Sequence, residues 1–306
     1  MPRRLIFLAI VILVGPLLVP AAAQGPAPSV PLDRLRANIE RITKGVNARW
    51  GIYMKCLETG DEIALGADEA MDTMSVIKIP LMVEAYRQVE AGMWKLDDRH
   101  TLKDEDKRPG TGVLRTLDAG ASLTLKDVVT LMNTVSDNTA TDILFARVGG
   151  VEPVNKLMGE YGLPTIRATG PTDAWFRALR EAGDSAKFHA EAKTPFGLAS
   201  PRDMGRLLEK IARGEAVSPQ ASQAMLAIMR QQVYRSRIPK YVTGYAIPHK
   251  TGDFLPFIGN DVGLLESPRH RIVLVVFTAN HYGVGAQLED AIGRVAEQVA
   301  DFYATR

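Results

Sequence analysis

Ser75-Val76-Ile77-Lys78 opens an apolar, helix-like run over residues 77–88, and its two polar residues stand three apart. On a helix that spacing puts both on one face, so the Lys78 amine can reach the Ser75 hydroxyl. A serine hydroxyl is a poor nucleophile until a base takes its proton, and a lysine serves as that base only where its surroundings favour the neutral amine. At a helix start, the positive end of the macrodipole also favours negative charge developing on the serine. Pro80 removes a backbone bond early in this helix, which predicts a kink in its first turns. Alone the motif is weak: a chain of this length is expected to hold roughly one S-x-x-K by chance, and a solvated helix Ser and Lys reads the same way.

Two further motifs lie downstream. Ser136-Asp137-Asn138 follows the apolar residues Val128, Val129, Leu131, Met132 and Val135 and precedes another helical run. It reads either as a helix-connecting turn, where Ser, Asp and Asn are favoured, or as a proton relay (Ser136) beside an amide that orients substrate (Asn138). Lys250-Thr251-Gly252 ends a strand-like run. It is either an ordinary strand end or a fixed positive charge, a hydroxyl for a substrate carboxylate, and a glycine that lets substrate lie against the strand edge. Each of these two motifs is expected only a few times in a hundred such chains, so the ordered set of three is roughly a one-in-a-thousand accident.

The surrounding pattern organises the chain. Residues 32–43 repeat apolar side chains at helical spacing (Leu32, Leu35, Ile39, Ile42), and 50–57 and 62–65 read as a hairpin around Glu58-Thr59-Gly60-Asp61. Residues of about 75–232 are mainly helical, with caps at Thr124, Ser200 and Ser218. Within them, 162–189 shows no period and is expected to be a long loop. Residues 245–251, 261–265 and 271–278 read as strands, and 286–303 as a closing helix. The expected class is therefore α+β: an antiparallel sheet built from both chain ends and flanked by helices, with an inserted all-α lobe. One catalytic domain spans 32–306, with its α/β lobe over about 32–74 and 233–306 and its helical lobe over about 75–232.

The 306 residues are 46% hydrophobic and 24% charged with net charge +2, a globular composition whose dispersed Lys and Arg give no case for nucleic acid. Arg3-Arg4, an apolar centre and Ala21-Ala22-Ala23 read as a secretory signal peptide over 1–23, followed by a linker over 24–31. An uncleaved anchor is the other reading, against which Gly15-Pro16 interrupts the ~18 apolar residues a span needs. A secreted or periplasmic protein with no stable membrane span in its mature form is expected, and a monomer. The single Cys56 cannot form an internal disulfide. The five histidines show no metal-ligand spacing, so no metal is expected. No Gly-rich phosphate loop is present, and no cofactor is expected.

The three motifs resemble the S-x-x-K, S-D-N and K-T-G signature of class A β-lactamases and penicillin-binding proteins, over nearly all of the mature chain. The resemblance implies an antiparallel sheet with flanking helices and a helical lobe, the site lying in the cleft between them. It implies Ser75 as nucleophile, Lys78 as base, Ser136 as proton shuttle, and Lys250 with Thr251 as carboxylate binders. An oxyanion hole would come from the backbone N–H groups of Ser75 and Asp253. The implied substrate is a small β-lactam, hydrolysed through an acyl-enzyme on Ser75, or a cell-wall peptide. The alternatives are a DD-peptidase or esterase-like relative with slow deacylation, or a penicillin-binding sensor domain without turnover.

Two departures divide acylation from deacylation. Class A enzymes carry a water-activating glutamate in E-x-x-L-N, whereas this chain reads Gly170-Pro171-Thr172-Asp173-Ala174-Trp175-Phe176 there. Asp173 is the nearest carboxylate, one methylene shorter than glutamate, and is either that base or a solvated loop residue. The arginine that many class A enzymes place after K-T-G is also missing, with Arg235 or Arg237 as substitutes or as surface residues. Trp175 is the tryptophan expected near substrate. His249 should turn to the face opposite Lys250 by strand alternation.

Overall fold

The computed structural model describes residues 32–191 and 194–306; the expected signal peptide and linker lie outside the described residues. The chain opens with α1 (Leu32–Lys44), β1 (Arg49–Cys56), β2 (Glu62–Leu65), β3 (Met71–Asp72), a 3₁₀ turn (Met74–Ile77) and α2 (Lys78–Glu90). Next come β4 (Arg99–Thr101), β5 (Ser122–Thr124), α3 (Leu125–Thr134), α4 (Asn138–Val148), α5 (Val151–Glu160) and β6 (Arg167–Ala168). The chain continues through α6 (Thr172–Ala182), α7 (Ser185–Glu191), β7 (Gly197–Ala199), α8 (Pro201–Arg213) and α9 (Pro219–Met229). It closes with β8 (His249–Phe254), β9 (Ile258–Glu266), β10 (Arg271–Ala279) and α10 (Gly285–Ala304).

The fold is α+β, as the sequence pattern predicts. Five antiparallel strands from both chain ends form one sheet in the order β2-β1-β10-β9-β8. Its central strand shows why: residues 272–277 are all fully buried, because apolar side chains on both faces need cover on both sides. Ile272, Leu274 and Val276 join Ile52, Met54 and Cys56 in a layer with Leu35 and Ile39 of α1 and Ile292, Val295 and Val299 of α10. Val273, Val275 and Phe277 join Tyr53, Val262 and Leu264 in a core continuous with α2, α3, α4 and α8. Cys56 is buried and free, consistent with a packing role.

The expected caps form. Thr124 Oγ1 accepts the Asp127 N–H at 3.1 Å while Asp127 Oδ2 accepts the Thr124 N–H at 3.0 Å, and Ser200 and Ser218 cap α8 and α9 in the same N-cap manner. Three expectations are corrected. The strand expected from residue 245 starts only at His249; Ala246 makes an isolated bridge to Glu266. Pro80 does not kink a helix, because α2 begins at Lys78 and Pro80 falls in its first turn, where no intrahelical partner awaits an N–H. The segment 162–189 is not one loop: it folds into β6, α6 and part of α7. Only Thr172 and Trp175 of α6 are fully buried, so its apolar period is short and Asp173, Arg177, Arg180 and Glu181 mask it. Among the described residues no helix is long and apolar enough to cross a membrane.

Gly205 lets α8 lie directly on β1: a Cβ there would stand 2.2 Å from Tyr53 Cδ1. Tyr53 is buried with its hydroxyl held by Glu62 Oε2 at 2.9 Å, so its ring has little room to retreat. Gly205→Ala is expected to lower unfolding free energy by about 1–3 kcal/mol through overpacking, read from the urea midpoint; an unchanged midpoint would show that helix and strand separate freely.

Candidate active site

Ser75 sits on the 3₁₀ turn Met74–Ile77, one residue after Met74, which adopts a left-handed φ of +46°. Such backbone persists only where its surroundings over-determine it. Asp72 supplies part of that constraint: Oδ1 accepts the Met74 N–H at 2.9 Å and Oδ2 accepts the Phe196 N–H at 3.2 Å. Burial pushes the Asp72 carboxyl up to about 6, against the pull of the N–H groups of Met74, Phe196 and Gly197. Asn260 adds a second hold, donating from Nδ2 to Asp72 O at 2.8 Å. In a 3₁₀ turn residues three apart eclipse one another, so Lys78 rises from the same side as Ser75.

Edge strand β8 lies along this turn. A Cβ on Gly252 would meet Thr73 O at 2.4 Å and the Ser75 N at 2.9 Å. The close approach that Gly252 permits is therefore that of β8 to the serine turn, where the sequence suggested substrate against the strand edge.

Ser136 is the meeting point. It too is left-handed, at φ +55°, and precedes Asp137, whose carboxylate caps α4 through Ala140 N–H at 2.9 Å and receives Val113 and Leu114 N–H at 2.6 and 2.8 Å. Lys78 Nζ donates to Ser136 O at 2.8 Å, Ser136 Oγ at 3.0 Å and Asn138 Oδ1 at 2.9 Å. Lys250 Nζ reaches the same Ser136 Oγ at 3.0 Å and Thr251 O at 2.8 Å. Both lysines are completely buried. Burial, then the neighbouring Lys250 charge, holds the Lys78 ammonium well below its ordinary range, favouring the neutral amine that can accept a proton. Burial brings Lys250 down to about 7, against the opposing pull of Asp253 and Asp261.

Ser75, Lys78, Ser136, Asn138, Lys250 and Thr251 are thus brought together from three distant segments. The expected Lys78 to Ser75 hydrogen bond is not formed: the Lys78 amine is taken by three acceptors on residues 136 and 138, and Ser75 Oγ has no hydrogen-bond partner among the described residues. Both ends of the Asn138 amide are also engaged, Nδ2 donating to Pro109 O at 2.9 Å, so it braces Lys78 and the 109–111 segment. His249 turns away from Lys250 as expected and pairs through Nδ1 with Asp261 Oδ1 at 2.9 Å.

Ser75 opens into a cavity of ≈ 460 Å³. One wall comes from Trp175, Phe176 and Leu179 of α6 with Phe196 and Phe254; the far end holds Ser236, Arg237, Thr251, Asp253 and Glu289. Trp175 meets Phe176, Phe188, Phe196 and Phe254 edge-on, with centroids 5.1–5.9 Å apart. Asp173 is not part of this wall: its carboxylate is 44% exposed and lies 3.7 Å from Arg177. The geometric reason is that α6 turns Trp175 and Phe176 inward, while Asp142 holds the helix start through the Thr172 N–H at 2.7 Å. Arg237 is buried at the cavity end and Arg235 is exposed. Phe176, Leu179, Tyr234 and Glu289 were not singled out from sequence, since each carries an ordinary helix or loop signal and joins the cavity only through packing.

A nucleophile turn braced against an edge strand, with a helical lobe supplying the serine between two lysines, is the architecture of the penicillin-recognising serine hydrolases. A family model described as the beta-lactamase enzyme family matches residues 34–303, and the chain belongs to that family. A β-lactamase structure from Sphaerobacter thermophilus DSM 20745 is 31% identical with a TM-score of 0.77, covering 90% of this chain and 98% of that one. A PBP-A mutant, solved as an acyl-enzyme complex with penicillin G, is 27% identical with a TM-score of 0.77 and coverage of 92% and 100%. Beta-lactamase VEB-1 of Pseudomonas aeruginosa is 23% identical over 287 residues, 89% of this chain and 91% of that protein.

The Lys250 shift has a thermodynamic consequence. The folded protein releases this proton near pH 7, whereas an ordinary lysine keeps it to 10.5. Its contribution to stability is therefore fully present above 10.5 and is lost as pH falls through about 7. Between about pH 7 and pH 9.5, the unfolding free energy of the wild type is expected to rise relative to that of Lys250→Met. A difference independent of pH in urea titrations would show that Lys250 titrates as an ordinary lysine.

Proposed function

We propose that this protein is an exported class A-type serine hydrolase that β-lactams acylate on Ser75, and that its acyl-enzyme is long-lived. The observation that carries the second half is the composition of the cavity. On the α6 side its wall is Trp175, Phe176 and Leu179, and its carboxylates, Asp253 and Glu289, both lie against Arg237 at the far end. A hydrolytic water needs a base within hydrogen-bond reach, and the α6 wall offers apolar carbon instead.

In this reading neutral Lys78 is the base that takes the Ser75 Oγ proton, moving to it from Ser136 and Asn138 as substrate binds. Ser75 Oγ then bonds the carbonyl carbon, and the N–H groups of Ser75 and Asp253 receive the oxyanion. As the carbon–nitrogen bond breaks, Ser136 Oγ gives its proton to the leaving nitrogen and is reprotonated by Lys78. The 3.0 Å contacts from Ser136 Oγ to both Lys78 and Lys250 support that relay. Acylation of a PBP-A relative by penicillin G supports the substrate class, and the Arg3-Arg4 start, apolar centre and Ala21-Ala22-Ala23 support export.

Mass spectrometry after incubation with benzylpenicillin is expected to find one adduct on Ser75, absent from Ser75→Ala and persisting after the free drug is removed. A chromogenic cephalosporin should give a single stoichiometric burst. Steady turnover would overturn the long-lived acyl-enzyme, and wild-type protein that gains no adduct from any β-lactam would overturn the reading altogether.

A further inference from the structure

The charge at the far end of the cavity is opposite to what a carboxylate-bearing substrate would seek. Three ionisable acid or guanidinium groups line the cavity: Arg237, Asp253 and Glu289. Arg237 is only 3% exposed and is already committed, with Nη1 donating to Asn260 O at 2.9 Å and Nη2 lying 3.1 Å from Asp253 Oδ2 and 3.2 Å from Glu289 Oε1. Ser236 Oγ, a hydroxyl on the same wall, also donates to Glu289 Oε1, at 2.7 Å. Lys250 does not line the cavity; its amine is completely buried on Ser136 Oγ and Thr251 O.

One guanidinium between two carboxylates leaves a net negative charge. The Asp253 carboxylate is 42% exposed and that of Glu289 is 21% exposed, so both retain acceptor capacity beyond Arg237. An incoming carboxylate must displace one of them from the guanidinium or sit beside like charge. An incoming ammonium finds acceptors in place and displaces nothing.

We propose that Asp253 and Glu289 are specificity-determining residues that select acyl donors whose leaving group ends in an ammonium over those ending in a free carboxylate. The inference rests on acylation of Ser75 and names the substrate class for that site. It also assigns Arg237 a role different from the one its residue type suggests: it holds the two carboxylates at the cavity end and is not free to grip substrate.

The test uses phenylacetyl-glycyl thioesters of three thiols: cysteamine (ammonium), mercaptopropionamide (neutral) and mercaptopropionate (carboxylate). Thiol release gives the acylation rate, and mass spectrometry locates the adduct. Wild type is expected to react with the ammonium donor about tenfold faster than with the carboxylate donor, the amide falling between. In Asp253→Asn that ratio should drop by about tenfold; because a ratio is read, any common change in rate through Lys250 cancels. Glu289→Gln, which leaves β8 untouched, should shift the ratio in the same direction. A Ser75 adduct formed with the carboxylate donor preferred, or with a ratio unchanged in both variants, overturns the selectivity and leaves Ser75 acylation standing. No Ser75 adduct from any donor overturns both.

Discussion

Two lysines cannot be buried side by side as ammonium ions at a bearable cost, and the site is built on the way Ser136 resolves that conflict. Its hydroxyl lies 3.0 Å from both Lys78 and Lys250. Desolvation and mutual repulsion favour the neutral form of Lys78, which is what makes it a usable base. The arrangement needs Ser136 in a left-handed conformation, and that conformation needs Asp137 fixed by three backbone N–H groups and Ser136 O held by Thr111 Oγ1 at 2.7 Å. The strained turn, the helix cap and the lysine chemistry are one construction.

The second constraint joins the two chain ends. Central strand β10 pairs with β1 on one side and β9 on the other, so the C-terminal strands carry β8 to the turn that follows the N-terminal hairpin. Gly252 removes the one side chain that would keep β8 from the Ser75 turn, and Asn260 ties β9 to the backbone of Asp72. The buried apolar faces of the sheet therefore set the position of the nucleophile relative to Lys250.

The walls around this centre separate the two half-reactions. Groups suited to forming an acyl-enzyme converge on Ser75, while α6 contributes an aromatic surface where a carboxylate would be needed to activate water. The aromatic cluster around Trp175 makes that surface rigid, and Asp142 anchors the start of α6 from α4. The distribution of charge, with carboxylates gathered around Arg237 at the opposite end, gives the cavity a polarity that its lysines, hidden from it, do not offset.

Much of this was legible in the chain itself. Strand-like runs at both ends and capped helices between them determined the fold class, because period and cap chemistry are local properties. Three short motifs determined which residues meet, since few sequences carry all three in order. What only tertiary structure decided was orientation. Residue spacing placed Lys78 beside Ser75, but the acceptors on Ser136 and Asn138 claim its amine; Asp173 stood at the right distance along the chain, but α6 turns Trp175 and Phe176 inward in its place. Arg237 read as a free cation, and only packing brought Asp253 and Glu289, one on a strand and one on a helix, against it. Sequence fixes the inventory of a site and its order along the chain, whereas the direction each side chain faces depends on neighbours tens or hundreds of residues away.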